Sequence, residues 1–211
     1  GEEPRIVSVI RSSSKSLVPV SSRLIPTTDG RRIGYIFLPT FLDPSIPSQV
    51  KQALEDFGKL DGLILDNRMN GGGSGNVTKT ILSFFTNGTI GEFISRTSNR
   101  KLEIAADPIN NSQTVPLVIL TSKYTVSYAE VFSGVFRDIG RAKIIGQTTA
   151  GKVETLHGYY FQDGSRAWIA QERFAPVKTH SNWQDVGVKP DIEILSNWDE
   201  FTFETDPLLS V

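Results

Sequence analysis

Gly146-Gln147-Thr148-Thr149-Ala150-Gly151-Lys152 is the stretch on which the fold turns. Its spacing satisfies the G-x-x-x-x-G-K core of a phosphate-binding loop. That loop also requires Ser or Thr after the lysine, to hold Mg²⁺, and a helix whose N-terminus faces the phosphates. Val153 stands at the first of those positions, and Glu154 adds a negative charge where phosphates would sit. Beyond it, Val153, Thr155, His157, Tyr159 and Phe161 alternate with Glu154, Leu156, Gly158 and Tyr160. The alternation runs to Asp163-Gly164, a favoured two-residue hairpin turn. The lysine therefore leads into a strand, and nucleotide binding is set aside.

Upstream of this loop, apolar strands and helical stripes alternate, which predicts an α/β domain. Ile33 to Leu38 reads as a buried strand, followed by a helical face of Ile46, Val50, Ala53, Leu54 and Phe57. Gly62 to Asp66 is a second strand, running into Asn67-Arg68-Met69-Asn70-Gly71-Gly72-Gly73; Val77, Ile81, Phe84 and Phe85 then have helical spacing. Pro116 to Leu120 with the stripe Val131, Phe132, Val135, Phe136 and Ile139 repeats the plan, and Gly140 stands where a C-capping glycine belongs. Lys143-Ile144-Ile145 begins a further strand, and a β-rich portion extends from Val153 to about Ile194. Residues 1–30 read as strands at the edge of a neighbouring module, and residues 198–211 as a peripheral tail.

The chain has 211 residues, a formal net charge of −1, no cysteine and two histidines, His157 and His180. That length suits one domain with a substantial core. Near-neutrality without a basic block gives no electrostatic reason to expect nucleic acid or an anionic membrane. No apolar run approaches the roughly 20 residues that cross a bilayer. Without cysteine there is no disulfide, no zinc-thiolate site and no thiol nucleophile. Peptides and neutral ligands remain open as partners.

Ser127, in Thr125-Val126-Ser127-Tyr128-Ala129-Glu130, lies at a strand-to-helix joint, 25 residues before Lys152. A neutral lysine can take the proton from a serine hydroxyl, provided burial lowers its pKa, and Ile144, Ile145 and Val153 are expected to supply that burial. The attacked carbonyl also needs N–H donors for its developing charge; Tyr128 at the helix start and the Gly71-Gly72-Gly73 loop offer them. Each feature has a plainer reading. Ser127-x-x-Glu130 is a capping box. The glycines make a tight turn, Lys152 and Glu154 lie on solvated surfaces, Arg68 pairs with Asp66, and His157 is a packed or surface histidine on a strand.

Taken in order, these segments resemble the C-terminal processing peptidases, also called tail-specific proteases. Asp66 to Gly73 is similar to the family's D-L-R-x-N-x-G-G loop, and Thr125 to Glu130 to its T-A-S-A-S-E segment. Phe136 to Ala142 resembles L-Q-D-x-G-R-A, Gly146 to Lys152 resembles G-x-x-T-x-G-K, and Val186 to Asp191 resembles the G-V-x-P-D close. The resemblance covers about residues 30–195. It implies a ClpP/crotonase-like α/β fold of strand-strand-helix units, with a serine peptidase domain over residues 31–197. It makes Ser127 the nucleophile, Lys152 the base, and Tyr128 with Gly72 or Gly73 the oxyanion hole. Asp138 and Arg68 become supports, and Glu154 or His157 become substitutes for a missing orienting glutamine, since Leu156 stands four residues after the lysine. It further implies a polypeptide substrate, no metal or organic cofactor, a PDZ module outside this chain, and an extracytoplasmic setting in the bacterial envelope or a secreted state. A non-catalytic peptide-binding scaffold of the same fold is the alternative, and an acyl-thioester enzyme on that fold is a third.

Overall fold

The computed structural model describes residues 18–195 and 200–209. Six strands form the main sheet in the order β1 (Ser21–Ile25), β2 (Ile33–Phe37), β3 (Gly62–Asp66), then β6 (Leu117–Thr121), β7 (Lys143–Gly146) and β10 (Ile192–Glu193). β2 to β10 run parallel, and β1 lies antiparallel on the edge. Three helices, α1 (Ile46–Phe57), α2 (Gly75–Phe85) and α3 (Tyr128–Ile139), cover one face. A second sheet, antiparallel, orders β5 (Asn99–Ile104), β4 (Gly88–Ile94), β9 (Arg166–Pro176) and β8 (Thr155–Tyr160).

The sidedness of the main sheet follows from strand alternation. Leu63, Leu65, Leu117, Ile119 and Ile144 point into the core with Val50, Ile81, Phe132 and Phe136 of the helices. Ile64, Val118, Leu120 and Ile145 point the other way, where Leu208 of the C-terminal segment covers them. Both faces are thus occupied, which is why these strands read as continuous apolar runs. Asp206 and Leu208 are buried, so the segment expected at the periphery packs as part of the fold over residues 200–209.

The expected strand-strand-helix plan holds, with α1, α2 and α3 each on its predicted stripe. Gly140 caps α3 in the left-handed region at φ 76°. Two features differ from expectation. The hairpin between β8 and β9 turns through Phe161 to Ser165, closed by the Phe161 N–H on the Ser165 carbonyl at 3.0 Å, rather than through Asp163-Gly164 alone. The β4–β5 hairpin has no counterpart in the sequence reading. Residues 1–17 of the expected N-terminal strands lie outside the described residues; β1 is the part described.

Candidate active site

The three loops that carry the chemistry-bearing residues leave the carboxyl ends of adjacent parallel strands β3, β6 and β7, the edge at which open α/β sheets place their sites. The first two loops are sewn together. The Asn67 side chain donates to Ala129 O and Ser133 Oγ, both at 2.9 Å; Thr125 Oγ1 donates to Asn67 O at 2.9 Å, Ser122 Oγ to Arg68 O at 2.6 Å, and Val126 N–H to Asn70 O at 3.0 Å. Gly72 rests directly on the serine turn: a Cβ there would lie 2.7 Å from Val126 O and 2.8 Å from Ser127 Cβ. Only glycine fits, because of that contact and because of its φ of 88°.

Ser127 adopts φ 59° and ψ −126°, a strained conformation for a residue with a side chain, on the turn that starts α3. Strand, sharp turn and helix in this order present a side chain at the rim of the sheet. Fully buried Glu130 holds the turn. Its Oε2 accepts the Ser127 N–H at 3.0 Å and the Lys152 N–H at 2.8 Å, while Oε1 accepts the Gly151 N–H at 2.6 Å and the Thr149 hydroxyl at 2.5 Å. Sharing one oxygen bounds the separation of the Ser127 and Lys152 backbone nitrogens at about 6 Å. The glutamate expected as a helix cap is therefore the link between the serine turn and the lysine loop.

The lysine loop is braced from its other side. Val188 N–H donates to Thr149 Oγ1 at 2.7 Å, Asp185 N–H to Gly151 O at 2.8 Å, and Gln184 Oε1 receives the N–H groups of Val153 and Glu154 at 3.0 and 3.3 Å. Gly151 and Val153 are buried, but the Lys152 side chain is exposed. The expectation that apolar neighbours bury Lys152 is thereby corrected: Ile144, Ile145 and Val153 turn into the two cores, whereas the lysine backbone faces Glu130.

Of the donors expected for an oxyanion, the Gly72 N–H is already given to Asn70 Oδ1 at 2.9 Å. Among the described residues, the N–H groups of Gly73 and Tyr128 have no protein acceptor. Gly73 bridges to Phe41 at the mouth of the loop. The Tyr128 ring packs on Phe93 at 5.8 Å, and the Arg100 guanidinium lies 4.2 Å from the centre of the Phe93 ring while pairing with Glu172 at 3.0 Å. Burial opposes the Arg100 charge, but the Glu172 carboxylate and then Tyr128 hold its guanidinium above the ordinary value.

The remaining candidates divide. Asp138 sits at the far end of α3, about 16 Å along the axis from Ser127. There its carboxylate accepts from Lys178 N–H, Thr179 N–H and the Thr179 hydroxyl at 2.8, 3.0 and 2.6 Å. Arg68 is buried beneath the glycine loop, paired with Asp66 and Asp206. Burial works against its charge, but the two carboxylates outweigh it and raise the guanidinium further. Glu154 is half-buried, and His157 is exposed with its ring edge-on to Tyr159 at 4.9 Å. Leu156, at the position expected for an orienting glutamine, is 55% exposed. Beside it an open groove of about 700 Å³ runs between the β4–β5 turn at Ser95 to Ser98 and the β8–β9 hairpin. Among the described residues, no three His, Asp or Glu side chains gather as metal ligands, and no helix is long and apolar enough to cross a membrane.

Residues 32–194 match the family described as Peptidase family S41. The chain belongs to that family. An S41 relative, the chloroplastic carboxyl-terminal-processing peptidase 2 of Arabidopsis thaliana, is 30% identical over 90% of this chain and 38% of its own length. The chain spans well under half of the curated relatives it matches. Among solved S41 structures, a putative S41 protease from Bacteroides fragilis superposes with a TM-score of 0.76 at 22% identity, over 94% of this chain and 58% of that one. The photosystem II D1 C-terminal processing protease superposes at 0.74 and 24% identity, over 85% and 49%. These likenesses establish the S41 protease fold for the chain. The roles of Glu130 and Gln184 escaped the sequence reading. Glu130 was visible there only as the partner in a capping box, and nothing near Gln184 in sequence points to the lysine loop.

Proposed function

We propose that this domain is a serine endopeptidase that cleaves extended or C-terminal segments of polypeptides through a Ser127/Lys152 dyad. The observation that carries this reading is the single carboxylate of Glu130, which accepts backbone N–H groups from both residues. Lys152 Nζ takes the Ser127 hydroxyl proton as Oγ attacks the scissile carbonyl. The negative charge that develops on the carbonyl oxygen meets the N–H groups of Gly73 and Tyr128, donors of a kind worth about 3–4 kcal/mol each. The lysine then passes its proton to the leaving amine, which departs and leaves an acyl-enzyme on Ser127. Water attacks the ester, giving a proton to Lys152, which passes it to Ser127 Oγ as the acyl group departs as a carboxylate product, and the serine is restored. Lys152 is exposed at rest, and its contact with the serine hydroxyl tightens when substrate binds. Membership of family S41 and relatives named carboxyl-terminal-processing peptidases support polypeptide as the substrate.

The test is hydrolysis of casein by wild type and Ser127→Ala side by side, with cleavage products detected by intact mass. Turnover should fall by roughly 10⁴-fold or more in the variant, whose fold is retained, and Lys152→Ala should be nearly as damaging. Equal turnover in Ser127→Ala would sink the reading. One observation favours a second: Leu156 leaves the exposed lysine without the expected orienting side chain, as in a peptide-binding scaffold that has lost catalysis. Binding of casein without cleavage or covalent serine adduct is the outcome it requires.

A further inference from the structure

Arg68, which leads the glycine loop, is a buried cation with carboxylates from two distant parts of the chain. Its Nε and Nη2 donate to Asp66 Oδ1 and Oδ2 at 3.0 and 2.6 Å, and the same Nη2 reaches Asp206 Oδ2 at 2.6 Å. Asp66 ends β3 and is fully engaged locally. It also accepts the Arg68 N–H at 3.1 Å and the Tyr35 hydroxyl at 2.7 Å. Asp206 instead lies 138 residues further along the chain, on the segment that covers the sheet face away from the helices. Its Oδ1 accepts the Leu208 N–H at 3.0 Å, and Leu208 is wedged so closely over β7 that a Cβ added at Gly146 would lie 3.1 Å from its Cδ2. Phe203 on the same segment packs edge-on against Tyr35 at 5.1 Å, with the Arg23 guanidinium 3.4 Å from its ring centre.

What Arg68 holds is the support of the proposed oxyanion site. Its own carbonyl takes the Ser122 hydroxyl, and the loop it leads places Gly72 against Ser127 and Gly73 at the mouth. A buried guanidinium deprived of one carboxylate shifts toward another acceptor or toward water, and the backbone it is joined to shifts with it. We infer that Asp206 is a positioning residue of the active site: acting through Arg68, it fixes the height of the loop 67–73 and hence of the Gly73 N–H. This rests on the peptidase reading above, and it assigns a site function to the C-terminal segment.

The experiment compares wild type, Asp206→Ala and Asp206→Glu on a fluorogenic peptide taken from a casein cleavage site, alongside amide hydrogen exchange of the peptide spanning 67–74. In Asp206→Ala, kcat should fall about 10- to 100-fold with KM within about twofold, since misplacement of a site by an ångström costs on that order. Asp206→Glu should recover part of the loss. Exchange at 67–74 should accelerate while exchange in α1 stays unchanged. An Asp206→Ala protein that is folded by circular dichroism and keeps wild-type kcat overturns the inference, as does a change confined to KM or to thermal stability. If Asp206→Ala does not fold, Asp206→Asn, which keeps the volume and one acceptor, carries the same comparison. Should wild type fail to cleave, or Ser127→Ala cleave equally well, the peptidase reading fails on its own. Exchange at 67–74 then decides the role of Asp206, and unchanged exchange rejects it.

Discussion

Glu130 illustrates how much one side chain can organise when its carboxylate is buried and fully satisfied. Three backbone N–H groups and a hydroxyl converge on it, from two loops that are separate in sequence. Glu130→Ala would leave those donors buried and unpaired, at about 1–3 kcal/mol for each that water cannot reach. We expect a loss of about 3 kcal/mol or more, read from urea midpoints, together with a collapse of casein turnover even at temperatures where the variant stays folded. Sequence reading found this glutamate but assigned it to the helix start, because spacing reveals local partners only. Capping covers one of its four hydrogen bonds, the one from the Ser127 N–H; the other three come from residues 19 to 22 positions away. Asn67 and Gln184 were hidden for the same reason, their partners lying 62 and 31 residues off.

At the level of elements, what was legible tracks how local the signal is. The helices α1, α2 and α3 each show a 3.6-residue apolar stripe, and β3 and β6 are continuous apolar runs buried on both faces, so all five could be read directly. The β4–β5 hairpin could not. Its register shifts between Thr89 and Gly91, which breaks the alternation, and β5 buries only Leu102 and Ile104. Within α3, Gly134 would ordinarily be a weak point that alanine improves by about 1 kcal/mol. Here the sign reverses, because a Cβ would lie 2.4 Å from the Trp183 ring. Gly134→Ala should lower stability by about 1–3 kcal/mol, measured as a fall in melting temperature, and a rise would show that Trp183 moves aside freely. The β8–β9 hairpin has the opposite character, with Leu156, Tyr160, Trp168 and Ile169 all exposed. Its outer strand is an unpaired edge beginning three residues after Lys152, the kind of strand on which an extended chain can be laid.

Across the whole molecule, the C-terminal segment and the loop after β3 close the fold upon itself. Burial, and then the Asp66 carboxylate, raise the pKa of the Tyr35 hydroxyl at this closure, so the folded chain keeps a proton that an unfolded tyrosine loses near pH 10. The native state then binds more protons than the unfolded one. This contribution is complete below about pH 10 and is lost as pH rises beyond it, with a slope of up to about 1.4 kcal/mol per pH unit. Tyr35→Phe should flatten the alkaline decline in urea midpoints between about pH 10 and 12, and an unaltered decline would assign it to other groups. The sequence showed Arg68 beside Asp66 but not Asp206, since no pattern joins residues so far apart. That distance has a consequence in time. A ribosome adding about 5–20 residues per second makes Arg68 roughly 7–28 s before Asp206. For the last 54 of those residues, about 3–11 s, the nascent chain carries both its serine and its lysine without the carboxylate that settles the glycine loop beside them, so the proposed peptidase stays unfinished while it is still beside other newborn chains.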